Sequence, residues 1–432
     1  MKIPKQIILK TALIFVGISI LLTSLFFYAF AATPSSTFYI SSGVYPGAPS
    51  YTVWGEGSNY FAKDSNGQID YSGTDTSQII MSITDTDGVT IYIKKGTYTI
   101  DSTIVIDHKY ITIFGDGCGT TTGTVLKMAN GADCNMFNLS SATFFTLRDM
   151  QLLGDKSNAY GYGIYSGDDG VEATADILID HVFICKFAKS GVFWKNCWGA
   201  TIVNSYCEDN VEHGIEIYAW NNLFQTTTFN WNDIDGISLR GTGELGNSAI
   251  IDSCPICENN HNGIYIMDGA NFVISNNIIR GNGYDGDYDA IHIHTEPKNI
   301  TITGNLIEGK GCKDHAGTNS RYGIYTSISE VVIDGNTFGT FSTGALGCGG
   351  GAHPTIGHNL GFVTENSGTT GAIASGATVN HGLASTPTSV IVTASETGLT
   401  DIYVSAVGDT TFVINYAGGG THVFYWYAEY KP

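Results

Sequence analysis

The sequence predicts an all-β protein built mainly as a parallel β-helix, a solenoid of short strands stacked coil upon coil. The first observation is composition. The 432 residues hold 54 Gly, 24 Tyr and 21 Phe but only 9 Pro, and 14% are charged. That balance favours strands and tight turns over helices. The second is a recurring phrase, a small residue followed by an aliphatic or small one. It stands at Gly163-Ile164, Gly191-Val192, Gly214-Ile215, Gly236-Ile237, Gly263-Ile264, Ala290-Ile291, Gly323-Ile324 and Gly344-Ala345, in steps of 28, 23, 22, 27, 27, 33 and 21 residues. The third is a second aliphatic phrase between these, at Ile177, Ile202, Ile250, Val273, Ile300 and Val331. A propeller would need blades of about 40 residues. Leucine-rich repeats would need a Leu/Asn consensus that is absent.

The chain opens with Lys2, Lys5 and Lys10, then an uncharged run from Thr11 to Ala32 with Ala29-Phe30-Ala31 as a cleavage motif. Residues 1–32 therefore read as a secretory signal peptide or a retained signal anchor, since the run reaches the roughly 20 residues that span a bilayer. A secreted or cell-surface location follows, with membrane anchoring by this segment if it is retained. Residues 33–86 form an N-terminal cap: strand-like pieces, then a short helix over Asp75–Thr84 with Asp75 as its N-cap. A helix there would cover the open end of the stack.

Residues 87–351 carry the coils. Alternation along each strand points Ile215 and Ile217 inward and Glu216 outward. Asn277, Asn305 and Asn336 recur at one offset after the second phrase and read as a turn ladder bonded along the stack. At "IYIKKGTYTIDSTIVI" (Ile91–Ile106), "ITIFGDG" (Ile111–Gly117) and "TVLKM" (Thr124–Met128) the sequence resembles the opening of pectate-lyase-superfamily proteins. The resemblance covers roughly Asp87 to Gly351. It implies a right-handed coil and, for many members, action on polysaccharides. Residues 352–370 read as a linker. Residues 371–432 read as a small β-sandwich-like domain of alternating strands, similar to C-terminal modules of phage-tail-like surface proteins. That similarity implies binding or assembly, and a homo-oligomer formed through this domain.

The net charge of −20 excludes a nucleic acid partner, because phosphate binding needs a basic footprint. Nine cysteines in an exported chain leave at least one thiol free or pairing between chains. Reading columns across coils gives the candidate site. The residue before each Gly-Ile phrase places His213, Asp235 and Asp289 in one line. Asp235 and Asp289 stand two coils apart, about 9.6 Å, near the roughly 6.5–9.5 Å between inverting carboxylates. With Asp233 and Arg240 these are the candidate catalytic residues. The outward residues of the same strands are Tyr165, Phe193, Glu216, Tyr265, His292 and Tyr325, followed by Tyr218 and His294. Flat rings among polar groups suit a sugar chain in a groove. Asp285, Asp287 and Asp289 are candidate calcium ligands.

The resemblance implies further roles. Ile234-Asp235-Gly236 and Glu212-His213-Gly214 are similar to two polygalacturonase-type motifs, and Asp168-Asp169 is an acidic doublet. In the manner of pectate lyases, Asp233, Asp235, Asp287 and Asp289 would hold calcium beside an Arg240 base. The sequence thus leads to an exported polysaccharide-binding β-helix acting as a lyase or glycoside hydrolase on a polysaccharide or cell-surface glycan. The alternative is a non-catalytic surface, adhesion or appendage protein that uses the β-helix as a scaffold.

Overall fold

The computed structural model describes residues 48–119, 122–167, 174–241, 248–311 and 320–431. Residues 1–32, expected to be a signal peptide or signal anchor, and the Asp168-Asp169 doublet lie outside these residues. No helix among them is long and apolar enough to cross a membrane.

The body is a right-handed parallel β-helix whose coils each lay down three short strands. Face 1 is the ladder of Gly-Ile strands, including Ile164–Ser166, Val192–Trp198, Ile215–Trp220, Ile237–Leu239, Ile264–Ile266, Ile291–Ile293 and Tyr322–Thr326. Its register sets Val192, Ile215, Ile237, Ile264, Ile291 and Ile324 one above another. Face 2 stacks Thr201–Val203, Asn222–Gln225, Ala249–Asp252, Ala270–Ser275, Lys298–Thr303 and Val331–Asp334. Face 3 stacks Tyr206–Glu208, Thr228–Asn230, Pro255–Cys257, Ile278–Arg280 and Leu306–Glu308. The inward residues of these strands are mostly aliphatic or aromatic and buried, as Ile264, Ile274 and Ile279 are in three successive strands. Each such side chain is worth about 1.5–3 kcal/mol of burial, which one isolated coil could not realise.

Many of the described corners are turned by a single residue in the left-handed region. Between faces 1 and 2 these include Asp176, Gly199 and Asn221; between faces 2 and 3, Asn204, Thr226, Ser253 and Asn276; between faces 3 and 1, Lys186, Asp209, Trp231 and Glu258. The Gly of the Gly-Ile phrase has a different cause. A Cβ on Gly214 would lie 2.6 Å from the Gly236 carbonyl oxygen and 2.9 Å from Asn232 Nδ2. Close approach of the next coil, not a positive φ, selects glycine there.

Two ladders of buried asparagines bond the corners along the stack. Between faces 2 and 3, Asn277, Asn305 and Asn336 each donate Nδ2 to Oδ1 of the next, ending at Asn359. Between faces 3 and 1, Asn210, Asn232 and Asn259 do the same, ending at Asn282. Asp252 ties the outer side of these corners, accepting from Asn276 Nδ2 at 2.8 Å, Ser275 Oγ at 2.8 Å and Gln225 Nε2 at 3.2 Å. Burial pushes its pKa up, but the bonds from Asn276, Ser275, Gln225 and Ser253 outweigh this and hold it below the usual value. A depressed folded-state pKa contributes stability above the unfolded value of about 3.9 and loses it as pH falls through the folded one. Asp252→Asn is therefore expected to cost up to about 1 kcal/mol in urea unfolding near neutral pH, screened as this group is. The two proteins should converge below about pH 3.

The N-terminal end is capped as its sequence suggests. Tyr51–Glu56 pairs antiparallel with Asn59–Asp64 and parallel with Thr90–Ile93. Helix α1 (Thr76–Thr84) is capped by Asp75, which accepts from the Gln78 amide at 3.0 Å. It buries Ile79, Ile80 and Ile83 in the core that fills the coils. At the other end the coils run further than the sequence indicates. Thr355–Gly357 pairs in parallel with Val331–Asp334, Leu360 bridges Thr337, and Glu365–Thr369 is already a strand of the C-terminal unit. The segment 352–370 is thus a last coil and an edge strand. That unit is two three-stranded antiparallel sheets around Phe412, Ile414, Phe424, Trp426 and Ala428. Phe362 links it to the coils, its ring 6.4 Å from that of Phe338 and 6.3 Å from that of Tyr430. No disulfide forms among the described cysteines, and Cys197, Cys207 and Cys254 are packed in the core.

Candidate functional site

Face 1 carries its outward side chains in straight columns because its register is unbroken from Val192 to Thr326 apart from a shift between Lys195 and Trp198. Two aromatic patches result. Tyr165 stacks on Phe193 at 5.4 Å and 10°, with Tyr162 and Tyr218 against the same Phe193 ring. Further along, His292 lies 5.4 Å from Tyr265 and stacks on Tyr325 at 5.0 Å. Between the patches sits a polar step. Arg240 Nε reaches Glu216 Oε1 at 3.2 Å and Ser238 Oγ at 3.1 Å, and Tyr218 OH donates to Glu216 at 3.2 Å. Burial raises the pKa of Tyr218, and Glu216 adds to it. Burial also raises Tyr265, against the opposing pull of Arg240, so both phenols keep their protons at neutral pH. His294 stands at the rim beside Thr295.

The expected catalytic column does not line this face. Ser190, His213, Asp235, Asn262 and Asp289 are all buried. They form a third ladder, in which each side chain accepts the amide of the column residue one coil on. Ser190 Oγ accepts His213 N, His213 Nδ1 accepts Asp235 N, Asp235 Oδ1 accepts Asn262 N, and Asn262 Oδ1 accepts Asp289 N. His213 Nδ1 also lies 3.3 Å from Asp235 Oδ2, and it serves one of these two partners at a time. The expectation of an open pair of carboxylates at Asp235 and Asp289 is therefore corrected: both oxygens that the spacing singled out are spent on the scaffold. Asp233 sits off the face, at the corner between faces 3 and 1, with Lys156 3.3 Å from it.

Asp289 does one further thing. Its Oδ2 lies 2.7 Å from His292 Nδ1, and it takes two bonds from Arg321, at 3.0 Å from Nε and 2.8 Å from Nη2. A carboxylate accepts, so His292 donates from Nδ1 and turns Nε2 away from Asp289. Arg321 lies over the Tyr322 and Tyr325 rings, 5.2 and 5.0 Å from their centroids. The structure thus brings Asp289 and His292 together, adds Arg321, which sequence reasoning missed, and leaves Asp235 and His213 as supports. The three candidate calcium ligands are not brought together. Asp285 and Asp287 are exposed on a turn while Asp289 points into the ladder, and among the described residues no three His, Cys, Asp or Glu side chains group as a metal site.

The fold has solved counterparts. ORF18 of Geobacillus virus E2 superposes with a TM-score of 0.52 at 16% identity, over 84% of this chain and 84% of that one. The A-module of mannuronan C-5 epimerase AlgE6 from Azotobacter vinelandii matches at 15% identity and a TM-score of 0.45, over 66% of this chain and 95% of its own. The tailspike gp49 of the Acinetobacter baumannii bacteriophage Fri1, a capsular polysaccharide depolymerase, matches at 12% identity and a TM-score of 0.39, over 82% of each. These likenesses concern the fold. No curated protein sequence matches the chain. Residues 137–359, more than half of the chain, match the right handed beta helix region, and the chain belongs to that family.

Proposed function

We propose that face 1 binds an extended polysaccharide containing uronate residues, and that His292, held by Asp289, removes the proton beside the sugar carboxylate. The observation that carries this reading is the Asp289–His292 pair, set between two tyrosines on an open aromatic strip. A buried carboxylate that fixes one ring nitrogen makes the other a general base. Arg240 and Arg321 are two of only four arginines in the chain, and both stand on this strip beside the carboxylates of Glu216 and Asp289, where a guanidinium can also donate to a sugar carboxylate. In the elimination, His292 Nε2 takes the C5 proton. The released pair forms the C4–C5 double bond, the C4–O bond breaks, and Tyr265 supplies a proton to the departing oxygen. Delivery of a proton to the opposite face of C5, with the C4–O bond left intact, would instead give epimerisation. An exported location, expected from the leader, would put such a groove among extracellular glycans.

The test is incubation with polyguluronate, polymannuronate, polygalacturonate and neutral glucans, with calcium and with chelator, followed by ultraviolet absorbance of unsaturated uronate and by proton exchange at C5. His292→Ala should lower either signal at least about a hundredfold, the ordinary weight of a general base. A second reading, a non-catalytic glycan-binding scaffold, draws on the ladder role of His213, Asp235 and Asp289. Binding on face 1 with neither signal in the wild-type protein would favour it and sink the enzymatic one.

A further inference from the structure

The corner between faces 3 and 1 holds a cavity of about 360 Å³, lined by Asp209, Trp231, Glu258, Asn260 and Tyr284. It is separate from the aromatic strip on face 1. Its volume lies at the small end of the roughly 300–1,000 Å³ of small-ligand pockets. Three of its residues, Asp209, Trp231 and Glu258, are the corner residues of successive coils, at φ 56°, 54° and 56°. The next coil uses Gly281 at the same corner, at φ 63°. Glycine satisfies this backbone without the roughly 1–2 kcal/mol that an L side chain costs there, so the scaffold alone does not call for an acid, a tryptophan and an acid in a row. Trp231 and Tyr284 are 48% and 45% exposed, and both rings line this one cavity. The polar groups are already oriented. Lys156 Nζ lies 2.7 Å from Asp209, and Trp231 Nε1 donates to Glu258 Oε2 at 2.8 Å.

We infer that this corner cavity is a binding subsite for a neutral pyranose, with the Trp231 and Tyr284 rings against the C–H faces of the sugar and Asp209 and Glu258 accepting from its hydroxyls. A sugar ring has one apolar side and a rim of donors, and the cavity offers the complement of both. Two carboxylates in the wall disfavour a uronate, so this subsite selects the opposite class from face 1 and stands independently of the catalytic reading. Saturation-transfer NMR on the whole protein tests it, with glucose, galactose, mannose and N-acetylglucosamine as neutral probes and glucuronate and galacturonate as anionic ones. At least one neutral sugar should bind. Trp231→Gly, which deletes the ring at a corner that glycine turns without strain, should weaken it at least about tenfold, or some 1.4 kcal/mol. Tyr284→Ala should act in the same direction, and His292→Ala should leave the signal unchanged. Failure of every neutral sugar to bind the wild-type protein, binding that survives Trp231→Gly, or equal binding of the uronates would each overturn the inference.

Discussion

Replacement of Asp289 by alanine is expected to destabilise the fold by about 3–5 kcal/mol and to remove the proton-transfer signal altogether. The carboxylate is fully buried, and four groups converge on it: Arg321 Nε and Nη2, the Tyr322 amide at 3.1 Å, and His292 Nδ1. Alanine leaves the Arg321 guanidinium without its carboxylate and the Tyr322 N–H without its acceptor, and it opens a void where the buried carboxylate stood. It also releases His292 to rotate or to take the other tautomer. Asp289→Asn separates the two effects. The amide oxygen can still accept from Tyr322 N, so the stability loss should be smaller, while the charge that steadies a protonated His292 is gone. Urea unfolding reads the first quantity and C5 proton exchange the second. An Asp289→Ala protein as stable as wild type would contradict the buried-hub geometry.

The second large effect is expected from Asn305→Leu, at about 3 kcal/mol or more from several orphaned partners. Asn305 donates Nδ2 to the Ile274 carbonyl and to Asn336 Oδ1, and its own Oδ1 accepts from the amide and the Nδ2 of Asn277. Leucine matches the volume and supplies none of these bonds, so buried donors and acceptors in two adjacent coils lose partners together. Asn359, at the end of the ladder, has a neighbour on one side of it only, accepting from Asn336 and donating to Ile333 O. Asn359→Leu should therefore cost clearly less. Equal midpoints for the two variants in denaturant would mean that the ladder does not act as a connected array.

The coils were legible because two demands on them are absolute. A Cβ at Gly214 meets the next coil's backbone, and a polar residue at Ile264 would be buried without a partner. The corners were not legible. A left-handed residue usually announces itself as Gly or Asn, yet Thr226, Lys186, Trp231 and Glu258 fill such positions, and tertiary packing overrides their preference. The second asparagine ladder did leave a signal, an Asn four residues before Gly214, Gly236 and Gly263. The catalytic column was misread for a chemical reason. Ser, His, Asp and Asn can all accept an amide proton, so a column that mixes them is as natural a ladder as one of asparagine alone, and Asn262 between Asp235 and Asp289 was the clue. Arg321 lies 32 residues beyond its partner Asp289, too far for spacing to pair them. The aromatic columns of face 1 were recovered because period-two alternation fixes which side chains point outward, whatever their type.

The ladders also set the grain at which such a molecule can change size. Asn232 hands to Asn259 the same bond that Asn259 hands to Asn282, across 27 and then 23 residues. A coil excised or duplicated whole rejoins asparagine to asparagine along such a ladder, whereas a cut through part of a coil strands half a bond in the interior. Gene rearrangement can therefore lengthen or shorten face 1 in steps of roughly 4.8 Å while the asparagine ladder beneath it stays paired.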